Sequence, residues 1–313
     1  MGYTYNVFLP GLGKSIPVKE IKSKIYRELI KSLYNSESDL FLICLNNIVE
    51  HVAPGILQED LTVIDYYILL LTSRMICINP DIKLTSTCPD TKKEFEHAEQ
   101  IETIVNKLNT ASYKKSVARD GFEVYFSVPK ARDIPFLYKE NRKLEGHNAL
   151  ISSLDTIVIK EKTLLLTGLS FADKAKVAEV LPVLITKEIY SKLAETYREL
   201  SEIKLITLVS PFKNKVTNQI PISVNIDDIA SFMKLIFSDN LGNMYKLVYN
   251  LVSLDHFDAE YLDSITPAEQ YLFWTYHLER ANQQSEEYKK DNGNGSYDGM
   301  NLPNMPTSPS EFS

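Results

Sequence analysis

The sequence predicts an α+β fold that is mostly helical, carries short antiparallel hairpins and is built as two similar halves. Three observations lead there. Glycine is scarce, with 11 in 313 residues, which argues against a turn-rich sandwich. Apolar residues recur at helical spacing through several long segments. Between them lie short aromatic and β-branched runs joined by Pro-, Gly- or Asp-containing turns, the signature of hairpins.

Tyr3 to Leu9 reads as a strand that turns through Pro10-Gly11-Leu12-Gly13 into a second strand at Ser15 to Val18. Lys19 to Leu33 is helical, with Ile21, Ile25, Leu29 and Leu33 on one face. Asp39 to Val52 and Thr62 to Ile76 are two further helices, separated by Pro54-Gly55. Thr62 and Asp65 have capping-box spacing, which satisfies free N–H groups at a helix start. Ile82 to Thr85 and Phe95 to Ile101 form a hairpin across Cys88-Pro89-Asp90-Thr91. Glu123 to Val128 is a strand stopped by Pro129, and from there to Leu200 the periodicity is mostly helical. Ser170 and Asp173 open a helix through Val180, with Pro182 marking its break or the next start.

Glu202-Ile203-Lys204-Leu205 then echoes Asp81-Ile82-Lys83-Leu84. Each follows a helix and precedes a Pro-and-Lys turn (Cys88 to Lys93, Ser210 to Lys215), a second strand and an acidic segment, Asp227-Asp228 in the second case. This recurrence suggests a duplication, with chance similarity of two hairpins as the alternative. Helices follow at Asp228 to Phe237, Asn240 to Val252, Ala259 to Leu262 and Pro267 to Tyr288, the last capped by Thr266 with Pro267 at its first position. The expected organisation is an N-terminal helical domain with hairpins over 1–128, a C-terminal helical domain with a second hairpin over 129–289, and a disordered polar tail over 290–313.

The net charge of −7 and pI near 5.4 leave no dense basic face of the kind a duplex binder needs, so no nucleic-acid partner is expected. The lysines of Lys139 to Lys143 read as a solvated helix face. No apolar run is long enough to span a bilayer, and the N-terminus lacks a signal-peptide pattern, so no membrane partner is expected. The three cysteines, Cys44, Cys77 and Cys88, have no framework spacing and fit a reducing cytoplasm.

Motifs for chemistry are missing. Gly11-Leu12-Gly13-Lys14-Ser15 resembles the end of a phosphate-binding loop, but Phe8 stands where the first glycine belongs and Pro17 opposes a helix after Ser15. No Cys-x-x-Cys or His-x-x-x-His pair supplies a metal site; Cys88 has only His97 nearby. No nucleophile motif occurs, although triads are assembled in space rather than in sequence. No catalytic residue, no metal and no cofactor is expected. The alternative is a hydrolase or transferase with a pocket between the halves, which shifted titratable groups in a deep cleft would favour.

The order of motifs resembles one family. Phe8-Leu9-Pro10-Gly11-Leu12-Gly13-Lys14, then helices, then Leu61-Thr62-Val63-Ile64-Asp65 and a hairpin with Ile82-Lys83-Leu84 and Cys88-Pro89 are similar to the T-even-type phage baseplate hub and hub-assembly proteins. Tyr197 to Met233, Leu241 to Lys246 and Tyr261 to Glu269 resemble its later regions, so the likeness spans about residues 1–285. The hairpin of that family often carries a cysteine pair, and here the partner cysteine is missing. The resemblance implies a non-enzymatic role in a contractile-tail baseplate hub, as virion component or assembly factor. The implied partners are other hub or tail proteins, met in the host cytoplasm during assembly. A tail-assembly chaperone that never enters the virion is the nearest alternative. The candidate partner-binding residues are Tyr271, Trp274 and Leu278, which share one helical face at i, i+3, i+7 in an aromatic-rich segment. The competing expectation is that this face packs on the protein's own core.

Overall fold

The computed structural model describes residues 4–34, 38–111, 113–119, 121–137, 146–184, 186–212, 219–225, 229–237 and 241–291. The Lys139 to Lys143 run, residues 213–215 of the Ser210 to Lys215 turn, Asp227-Asp228 and the polar tail beyond Asp291 lie outside the described residues.

The chain opens with an antiparallel hairpin, β1 (Thr4–Leu9) and β2 (Lys14–Lys19). Three helices follow: α1 (Ser23–Tyr34), α2 (Ser38–Val52) and α3 (Val63–Cys77). α3 is apolar all round its circumference, and nearly every one of its side chains is buried. A helix of that kind belongs inside a core. α2, α4 (Ile101–Thr110), α9 (Ile229–Ile236) and both strands of the first hairpin pack around it. Tyr67 of α3 stacks on Phe232 of α9 with ring centroids 3.8 Å apart.

The second hairpin, β3 (Asp81–Thr87) and β4 (Glu94–Gln100), and the last, β9 (Glu202–Val209) and β10 (Gln219–Asn225), both lie against this main core. The order helix, strand, turn, strand, helix recurs as α3-β3-β4-α4 and, with α8 (Lys187–Ser201), as α8-β9-β10-α9. The helices differ in setting, since α3 is buried all round and α8 on one face only. The β9–β10 pairing is also irregular, since its register shifts between Ile222 and Ser223 of β10. The main core gathers side chains from Val7 to Met244, on both sides of residue 128.

Between Pro129 and Leu200 the segment is mostly helical, as expected, but it also supplies a hairpin that periodicity did not announce. A four-stranded antiparallel sheet runs β5 (Lys115–Arg119), β6 (Phe122–Phe126), β7 (Leu154–Ile159), β8 (Lys162–Leu165), in that order. The β7–β8 turn, Lys160-Glu161, contains none of the usual turn residues, and Lys160 itself takes φ +56°. Sequence therefore gave no punctuation there. After the short α5 (Ile134–Leu137), α6 (Gly146–Ser153), α7 (Phe171–Leu184) and α8 cover one face of this sheet and close a second apolar cluster. α7 also runs through Pro182 to Leu184 rather than breaking at it. The remaining helices, α10 (Leu241–Asp255), α11 (Ala259–Ser264) and α12 (Pro267–Asp291), enclose a third, smaller cluster.

Candidate functional site

The tip of the β1–β2 hairpin is the first place where distant motifs meet. Gly13 takes φ +63° and its N–H closes the turn on the Leu9 carbonyl at 2.9 Å. That backbone conformation suits glycine. The Gly11 N–H donates to Asp65 Oδ1 at 2.9 Å. Asp65 Oδ2 accepts from the Thr62 N–H and from the Thr62 hydroxyl, each at 2.8 Å, and Thr62 Oγ1 accepts from the Asp65 N–H at 3.2 Å. The capping box of α3 thus doubles as a clamp on the hairpin. A Cβ on Gly11 would collide with Asp65 Oδ2 and stand 2.6 Å from Thr62 Cγ2. Burial pushes the Asp65 carboxyl upward in pKa, while the donated hydrogen bonds and the Lys130 charge pull it back. Residues 129–131 join the clamp, with Val63 N–H on the Pro129 carbonyl at 3.0 Å and Ala131 N–H on the Leu61 carbonyl at 2.8 Å. Lys14 and Ser15 begin β2, so this glycine-rich stretch is a hairpin turn rather than the mouth of a helix.

Cys88 is buried at the β3–β4 turn, where its Sγ accepts from the Thr91 N–H at 3.5 Å. His97 turns its Nε2 to Glu99, 3.2 Å away. Among the described residues no group of three or more His, Cys, Asp or Glu side chains is placed to hold a metal ion.

A buried polar cluster that no linear motif announces joins three separate segments. The Ser152 hydroxyl of α6 donates to Asp133 Oδ2 at 2.6 Å, and Lys174 Nζ of α7 donates to the Ser152 carbonyl at 2.7 Å. All three side chains are buried. Burial lowers the Lys174 pKa, and the nearby Asp133 charge opposes that shift. Sequence reasoning missed this cluster because its members lie far apart in the chain and belong to no motif. A cavity in the second cluster is lined by Phe126, Leu150, Ile151, Leu154, Ala178, Leu181, Tyr190 and Leu193, an almost wholly apolar wall.

The predicted partner face lies in the third cluster. Thr266 caps α12 as expected: its Oγ1 accepts from the Glu269 N–H at 3.2 Å, and Glu269 Oε2 accepts from the Thr266 N–H at 2.7 Å. Trp274 is only 1% exposed and packs with Leu247, Leu251, Leu262 and Ile265. Tyr271 and Leu278 are partly buried against the same cluster. The structure therefore turns this face of α12 toward α10 and α11. Trp274 also stacks on His277, whose Nδ1 lies 2.9 Å from the Asp255 carboxylate at the end of α10. The unit is held to α1 by the Arg27–Asp263 ion pair and by the Ser23 N–H on the Ile265 carbonyl at 2.8 Å.

Several large apolar side chains of this unit are exposed. Tyr245, Tyr249 and Val252 stand exposed at i, i+4, i+7 on α10, Tyr249 at 70%. Leu272 and Tyr276 do the same at i, i+4 on α12, and Leu254 and Tyr261 are exposed as well. The α10 stripe has a helical spacing, i, i+4, i+7, that is legible in the sequence. No helix among the described residues is long and apolar enough to cross a membrane.

Compared with protein families, the chain matches the one described as "T4 bacteriophage base plate protein" over residues 2–234. Neither the curated proteins nor the solved structures supply a match. The matched stretch contains the hairpin clamp and ends before α10.

Proposed function

The chain belongs to the T4 bacteriophage base plate protein family, and from that premise we propose that it is a component of the baseplate hub that acts through protein–protein contacts and performs no catalysis. The supporting observation is the pair of exposed apolar stripes on this unit, Tyr249 and Val252 on α10 and Leu272 and Tyr276 on α12. Exposed apolar surface of that density marks an interaction site more often than an ordinary surface. Trp274 serves as the internal anchor that fixes α12 on α10, with Tyr271 and Leu278 at its margins. Tyr249, Leu272 and Tyr276 are then the groups that meet another hub or tail protein. Tyrosine suits this work, because it adds large contact area at low entropic cost and keeps one polar tip.

Two features support a non-catalytic reading. The cavity in the second cluster offers almost no polar group to orient a substrate. The Asp133–Ser152–Lys174 cluster is closed to solvent, so it acts as a peg between α6 and α7. The test is complementation of a phage lacking this protein with a Tyr249→Ala, Tyr276→Ala double variant, combined with mass spectrometry of purified virions. The expected result is a folded variant, incomplete baseplates, and the wild-type chain present in particles. Normal baseplates from the variant would defeat the docking role. Absence of the wild-type chain from particles would make it an assembly factor that leaves.

A further inference from the structure

The four-stranded sheet ends on β8, and among the described residues no strand pairs with its outer side. Its partner β7 fixes which backbone groups face out. Ile159 opposes Lys162, Ile157 opposes Leu164, and the Leu166 N–H reaches the Asp155 carbonyl at 2.8 Å. Antiparallel alternation then directs the N–H and C=O of Lys162 and Leu164 toward β7, and those of Thr163 and Leu165 outward. The side chains follow the pleat. Leu164 shares the core face with Ile157 and Val124, yet stays 48% exposed because β8 is the last strand. Leu165 is 68% exposed on the opposite face, in line with Thr156 and Tyr125.

We propose that β8 pairs antiparallel with β8 of a second copy of this chain, about a two-fold axis at Leu164. This register matches the edge to itself. Thr163 of one copy faces Leu165 of the other and the reverse, so each outward N–H meets an outward carbonyl. The two Leu164 side chains come together over the rim of the two cores and cover the part that one chain leaves in water. Lys162 falls opposite Leu166, so no two like charges oppose one another across the ladder. A contact between equal patches is also the self-complementary kind that closes as a dimer. The contact is short and lies below the ~1,200 Å² of a stable interface, so it forms where copies are concentrated and is weak in dilute solution. A strand from a different protein could use the same backbone groups, and the experiment separates the two occupants.

The experiment is oxidative cross-linking of the full chain in a Cys44→Ser background, in which Cys77 and Cys88 remain buried. Leu164→Cys is compared with Leu165→Cys at several concentrations, with circular dichroism to confirm the fold. At the two-fold centre the Cα atoms are about 4.5 Å apart, inside the range a disulfide spans, whereas the two 165 positions are offset along the ladder beyond its reach. Leu164→Cys is expected to form a covalent dimer at least about ten-fold faster than Leu165→Cys, although Leu165 is the more exposed position. Adding Thr163→Pro, which removes an outward N–H and leaves the bonds to β7, is expected to abolish that preference. Equal or reversed rates would mean random collision and overturn the proposal. So would the absence of cross-linking from both, which would leave the edge to another protein or to water.

Discussion

At the scale of single residues, the hairpin clamp shows how little chemistry is needed to join two distant parts of a chain. Asp65 is buried and spends its carboxylate on three donors, two from Thr62 and one from Gly11. Asn at that position keeps the shape but replaces one acceptor oxygen with an NH2 group that faces donors. Asp65→Asn should therefore cost about 1–3 kcal/mol in urea denaturation, the range for leaving a buried polar group unmatched. An unchanged midpoint would show that the clamp carries no stability. Cys77 gives a pH dependence. Its Sγ accepts from the Ile21 N–H at 2.7 Å, and burial pushes its pKa up from 9.0 to about 12. Above pH 9 the unfolded chain loses a thiol proton that the folded chain retains. The folded state then binds more protons, so stability falls as pH rises from 9 toward 12. The slope from this group approaches about 1.4 kcal/mol per pH unit. In denaturation from pH 8 to 10.5, Cys77→Ala should be flatter than wild type; parallel curves would remove Cys77 as the cause.

At the scale of elements, the third cluster depends on one side chain. Trp274 fills the space between α10, α11 and α12, and Trp→Ala changes in cores cost about 3–5 kcal/mol. Because this cluster is separate from the main one, Trp274→Ala should melt α10–α12 first. Thermal melting followed by far-UV circular dichroism should become biphasic, and a single transition at an unchanged temperature would refute it. The elements also show what sequence can convey. The Thr62–Asp65 and Ser170–Asp173 boxes were readable because their partners lie three residues apart. The grip of Asp65 on Gly11 was not, since 54 residues separate them. The β7–β8 hairpin was missed because Lys160 adopts a positive φ without being Gly or Asn. The face of Tyr271, Trp274 and Leu278 was recognised as one stripe, but periodicity alone does not say which side of a helix a neighbour will cover. That depended on α10, whose own exposed stripe is equally regular. The Asp133–Ser152–Lys174 cluster exists only after three segments have folded together.

At the scale of the whole molecule, the early and late parts of the chain are interleaved. The family match ends at residue 234, yet the core around α3 also takes in Ile236 of α9 and Phe237 just beyond it. α1 is bounded by α2 on one side and by α9, α10 and α11 on another. Tyr26 of α1 lies 5.8 Å from Phe237, and Arg74 of α3 sits over the same ring, with burial lowering the arginine pKa to about 10. This arrangement has a cost in time during synthesis. A ribosome moving at ~5–20 residues per second needs roughly 10–40 s to travel from the end of α1 to the start of α9. For that interval Tyr26, and from residue 77 onward the inner face of α3, have no α9 to meet. The nascent chain thus presents its most apolar helix half-covered, at the stage when a holdase would find it easiest to grasp.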